Sequence, residues 1–117
     1  MSVNDQLEVI GIQAAIELMG SRELLVEISG MLLDELDEVM AQLDEEVGRQ
    51  DLPAMARTAH RLKGNFGVVA AKEAHAAARE LESAAREGEQ SRADAAVVAL
   101  RAAVERLQPK LVELLDA

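Results

Sequence analysis

Residues 21–48 read SRELLVEISGMLLDELDEVMAQLDEEVG. Within them Leu25, Ile28, Leu32, Leu36, Val39, Leu43 and Val47 recur at intervals of three and four. A helix turns about 100° per residue, so this spacing gathers those side chains on one face. Asp34, Asp37, Glu38, Asp44 and Glu45 fall on the other. A strand would need alternation at period two, which the stretch lacks. It therefore predicts one long amphipathic helix, with Ser21 as its N-cap and Gly48 as its stop. A helix with a single apolar stripe must bury that stripe against neighbours, so the rest of the chain has to supply them.

It does so on both sides. Residues 1–8 read as a frayed start. Ile12, Ala15, Ile16 and Met19 keep helical spacing, which predicts a short first helix over about 9–19, ended by Gly20. Downstream, Asp51 can cap a third helix with Pro53 in its first turn and Leu52, Met55, Ala59, Leu62 and Phe66 inward. Gly67 is expected to loosen its end. A fourth helix over about 72–87 turns Ala74, Ala77, Ala78, Leu81 and Ala85 inward and stops at Gly88. Ser91 is expected to open the fifth, with Asp94 as a capping-box partner. Its inward line is Val97, Leu100, Val104, Leu107, Leu111 and Leu114, and Pro109 is expected to kink it or shorten its last turns. Short connections favour antiparallel neighbours. The expectation is an all-α fold: an antiparallel up-down four-helix bundle with a short additional N-terminal helix, forming one domain over residues 1–117.

Composition agrees with helices and narrows function. The 117 residues suit one domain, and Phe66 is the only aromatic residue. Cysteine is absent, so disulfides, thiol chemistry and cysteine-based zinc sites are excluded. The formal net charge of −10 argues against nucleic acid and against an anionic membrane surface as partners. No run of 18 apolar residues is present, and MSVNDQLEVIG lacks the basic start and apolar middle of a signal peptide. The expected location is cytoplasmic.

Charge is unevenly spread. From Arg57 to Arg79 the chain carries Arg57, Arg61, Lys63, Lys72 and Arg79 against one acid, Glu73. This basic window surrounds residues 59–67, AHRLKGNFG. A glycine inside a helix costs about 1 kcal/mol relative to alanine, so Gly64 needs a reason. His60 falls roughly 120° from the centre of the apolar stripe and points outward. One turn away on either side are Ala56 and Gly64, and Lys63 places a cation on the same flank. An exposed imidazole among small residues suits a nucleophile that another macromolecule must reach. Attack on a phosphoryl group needs in-line access, and Lys63, with Arg57 and Arg61 nearby, can offset the charge it brings. The plainer reading is a surface histidine in an alanine-rich helix whose glycines mark its end.

His60-Arg61-Leu62-Lys63-Gly64 matches the H-x-L-K-G signature of histidine-containing phosphotransfer (HPt) domains. Ala78-Arg79-Glu80-Leu81-Glu82, followed by Ala85 and Gly88, resembles that family's A-x-x-L-E…A-x-x-G helix. GRQDLPAMARTAH resembles the approach to its active histidine, and the similarity spans about residues 11–115. There is one departure: Ala70 stands where the family often has a glycine before the residue matching Ala71. The resemblance implies a bundle that relays phosphoryl groups between receiver-domain aspartates. His60 would be the phosphoacceptor, through Nε2, with Lys63 and Gly64 supporting it. It implies receiver domains of response regulators or a hybrid sensor histidine kinase as partners, a monomeric state, and no kinase or ATPase activity of its own. The alternative is a non-phosphorylated adaptor bundle that keeps the fold and binds a receiver or another helical partner.

Other candidates are weaker. His75, on the flank of the fourth helix near Lys72 and Arg79, has no motif around it and reads as a solvated surface residue. His60 and His75 lack close metal-ligand spacing such as H-E-x-x-H, and the acidic helix lacks the D-x-D-x-D-G calcium loop. No Walker or dinucleotide glycine motif is present, so no cofactor and no metal is expected.

Overall fold

Ser21 does open the long helix: its backbone is extended and its side-chain hydroxyl accepts the Leu24 N–H at 3.0 Å. The computed structural model describes residues 16–17, 20–69 and 71–116. Four helices follow in order: α1 (Arg22–Gly48), α2 (Leu52–Val68), α3 (Lys72–Arg86) and α4 (Gln90–Asp116). No strand occurs among the described residues. Of the expected short first helix only Ile16 and Glu17 are described, both helical; the remainder, and the start at 1–8, lie outside the described residues.

The apolar stripes meet as the spacing requires. Leu25, Leu32, Leu36, Val39 and Leu43 of α1 are buried, whereas Ile28 and Val47 sit half-buried at its edge. Met55, Ala59, Leu62 and Phe66 of α2 are fully buried, and the Phe66 ring is the largest side chain in the core. Burying a ring of that size contributes about 1.5–3 kcal/mol. The alanines of α3 (Ala74, Ala78, Ala84 and Ala85) let α2 and α4 approach it on two sides. The line from Val97 to Leu114 closes the core from α4.

Turns differ from expectation in instructive ways. α1 ends at Gly48, as expected, but the left-handed reversal falls two residues later, at Gln50 (φ 54), and not on the glycine. Gln50 N–H then donates to Val47 O and Asp51 N–H to Glu46 O, the two bonds of a Schellman end. Gly88 (φ 71) makes the same end for α3, with Gly88 N–H on Ala85 O and Glu89 N–H on Ala84 O. That turn feeds α4 at once, so α4 begins at Gln90, and Ser91 lies inside its first turn rather than capping it. Gln90, not Ser91, bonds Asp94. Pro109 does not shorten α4, which continues to Asp116. The missing N–H faces the solvent side, while Leu107, Leu111 and Leu114 hold both flanks of the proline to the core.

Polar pairs join neighbouring helices. Thr58 and Gln42 donate to Oε2 of the buried Glu46, tying α2 to α1. Arg61 pairs with Glu35 at 3.1 Å. Arg101 meets Asp44, and Gln108 meets Asp37, between α4 and α1. Arg92 and Arg106 of α4 hold Glu80 and Glu73 of α3. No described helix is long and apolar enough to cross a membrane.

Candidate functional site

The turn at Asp51 sets the phase of α2. Asp51 caps the helix by accepting the Ala54 N–H, and Pro53 occupies the first turn without loss of a needed donor. With Met55, Ala59, Leu62 and Phe66 turned inward, His60 emerges on the flank facing α3 with its side chain 63% exposed. Gly64, one turn on, is exposed, and a Cβ built there meets nothing within 4 Å. The surface beside the imidazole is therefore open on that side. Ala56, on the preceding turn, is buried in the core and is not part of an exposed strip, which corrects the sequence reading.

Beneath His60 lies a carboxylate that the sequence reading had only as a motif letter. Glu82 of α3 is 8% exposed. Its Oε2 is 2.9 Å from His60 Nδ1 and 2.6 Å from Arg86 Nη2, and its Oε1 is 2.7 Å from Lys63 Nζ. The Lys63 hydrogen bond, helped by those from His60 and the Arg86 charge, holds its carboxyl below the usual carboxylate range despite burial. Glu82 is thus ionised at neutral pH and can only accept. Nδ1 of His60 must then carry the proton, so in the neutral ring the free lone pair belongs to Nε2.

The basic window is less free than its sequence implies. Lys63 is half-buried on Glu82, Arg61 is engaged by Glu35, and Glu73 is taken by Arg106. Arg57, Lys72 and Arg79 form no ion pair with another described residue. Glu82 and Arg86 were missed as site residues because a charged residue on a helix reads as solvent-facing. The signal was there: Ala78, Glu82 and Ala85 share one inward face at intervals of four and three.

His75 does not join the site. It is half-buried rather than solvated, and its ring lies 3.6 Å from where a Gly67 Cβ would stand. With Phe66, Gly67, Ala71 and Lys72 it lines a recess of about 240 Å³ at the α2–α3 turn. Gly67 stays within α2, which runs on to Val68, and the end is closed by Ala71 N–H on Phe66 O. Ala70, the departure noted in the sequence, lies outside the described residues. Among the described residues no three His, Asp or Glu side chains are grouped to hold a metal ion.

A family model described as Hpt domain matches residues 27–110, a span that contains His60, Lys63, Gly64, Glu82 and Arg86. No curated protein and no solved structure matched the chain.

Proposed function

The chain belongs to the Hpt domain family, and from that premise we propose that His60 is the phosphoacceptor of a two-component phosphorelay. Hpt domains take part in such relays as phosphocarriers, alongside receiver domains and kinases. The observation that carries the reading is the bond between His60 Nδ1 and the ionised Glu82, on an imidazole side chain that is itself exposed.

The chemistry follows from that geometry. The Nε2 lone pair attacks the phosphorus of a receiver's aspartyl phosphate in line. The N–P bond forms as the P–O bond to the aspartate breaks, and the aspartate leaves as a carboxylate. The ring keeps its Nδ1 proton and becomes an imidazolium, whose positive charge lies against Glu82. Attack by a second receiver's aspartate on the same phosphorus reverses these steps. Lys63, one turn from His60, offsets the phosphoryl charge, and Gly64 leaves room for the receiver to dock. The chain has no phosphate-cradling glycine loop of its own, so the phosphoryl group comes from the partner and not from ATP.

The whole of residues 1–117 forms one domain in this reading, acting as a cytoplasmic monomer. Its helices run up and down, antiparallel. The pairs Asp44–Arg101 with Asp37–Gln108, and Glu80–Arg92 with Glu73–Arg106, support that arrangement, since numbers fall on one helix as they rise on the next. The test is incubation with a phosphorylated receiver domain: the wild-type chain takes up label and His60→Gln does not.

A further inference from the structure

Glu82 has more cationic partners than its charge requires. One nearly buried carboxylate is bound by Lys63 from α2 and by Arg86 from its own helix, with His60 as a third donor. With a neutral His60, the cluster carries a surplus positive charge. The two cations are placed differently. Lys63 holds Oε1 and stands one turn from His60 on the same helix. Arg86 holds Oε2, on the oxygen that His60 shares, and its side chain is 61% exposed.

We propose that Arg86 is a positioning residue: it keeps Glu82 neutralised while Lys63 turns from Glu82 to the phosphoryl group on His60. The inference rests on His60 as the phosphoacceptor. In the free protein Lys63 is committed to Glu82 at 2.7 Å. A phosphoryl group on Nε2 brings roughly −1.5 to −2 charges, enough to draw a lysine away from a single carboxylate. Were Lys63 the only cation on Glu82, its departure would strand a buried charge beside a phosphoryl dianion. Arg86 prevents this. Glu82 then keeps the guanidinium and the imidazolium Nδ1–H, and its burial remains compensated. The formal charges of Lys63, Arg86, the imidazolium, Glu82 and a dianionic phosphoryl group cancel.

Reach is no obstacle. Side chains at i and i+3 on a helix have Cβ atoms roughly 5–6 Å apart, within the span of a lysine. Lysine is a point charge on a flexible stem, suited to moving; arginine's planar fork is suited to staying on a carboxylate.

The test uses the full chain and a receiver domain loaded with acetyl phosphate as donor. The initial rate of His60 labelling is measured for wild type, Lys63→Ala, Arg86→Ala, Arg86→Lys and the Lys63→Ala/Arg86→Ala double variant, with a melting curve for each. Lys63→Ala and Arg86→Ala should each slow labelling by about tenfold, the weight of one charge-assisted contact. Arg86→Lys should restore most of the rate. The double variant should stay within about threefold of Lys63→Ala, because Arg86 acts only by freeing Lys63. A double variant slower than that, an Arg86→Ala rate equal to wild type, or an Arg86→Lys variant as slow as Arg86→Ala would each overturn the inference while leaving His60 as acceptor. Labelling that persists in His60→Gln would overturn that reading, and this inference with it.

Discussion

Replacing Gly64 separates stability from transfer. The glycine lies inside α2 in helical backbone, is exposed, and a Cβ there meets nothing within 4 Å. Nothing in the fold requires it. Gly64→Ala should therefore recover up to ~1 kcal/mol of helix propensity. Unfolding entropy near 2.1 cal/mol/K per residue, taken over this chain, converts that gain to a rise in Tm of about 4 °C. A methyl there leaves most of the surface beside His60 open, so transfer should slow only modestly. Gly64→Leu should also keep the fold, since the side chain projects into solvent. It stands one turn from the imidazole, however, where a docking receiver must approach. Transfer should fall by at least about a hundredfold, the scale expected when reacting groups are held an ångström out of line. A melting curve and a single-turnover transfer assay from a phosphorylated receiver measure both effects. A Gly64→Leu variant that transfers phosphate at the wild-type rate would refute steric clearance as the reason for the glycine. A fall in Tm for Gly64→Ala would refute the claim that the helix bears a cost there.

Two further outcomes follow from the same geometry. Glu82→Gln should lower stability at pH 7 by ~1–2 kcal/mol, because Lys63 and Arg86 are partly exposed and regain water when the charge is lost. The folded carboxyl is held below its unfolded value of about 4.3, so this contribution is present above that pH and disappears as pH falls through the folded value. Denaturant titrations at pH 7, 5 and 3 should show the gap between wild type and variant closing only below about pH 4; a gap that is unchanged at pH 3 contradicts the assignment. The pure chain should neither hydrolyse ATP nor take label from it, as thin-layer and autoradiographic assays would show; self-labelling free of contaminating kinase contradicts the carrier reading.

Helix identity was legible because the longest stripes keep strict three-and-four spacing over four or more turns, from Leu25 to Leu43 and from Val97 to Leu114. The ends were less so. A residue that tolerates the left-handed region usually marks the reversal, yet α1 turns at Gln50 because the Schellman bonds to Val47 and Glu46 carry it there. Ser91 looked like a cap, but the Gly88 turn had already delivered the chain into α4. His60, Lys63 and Gly64 stood out through local spacing on one helix. Their shared partner did not, since Glu82 lies 22 residues from His60 on another helix. Spacing along α3 puts Glu82 on an inward face, but only the packing of α2 against α3 sets it under His60. Glu46, buried under Thr58, escaped for the same reason.

The most direct measurement is the fate of label from a phosphorylated receiver domain in three proteins: wild type, His60→Gln and His75→Gln. Here the exposed His60 rests its Nδ1 on an ionised Glu82, whereas His75 lies in a recess at the α2–α3 turn away from it. Wild type and His75→Gln should take up label that is lost in acid and survives mild alkali, as a P–N bond requires, and His60→Gln should take up none. Label retained by His60→Gln, or label on wild type that resists acid, would contradict the account.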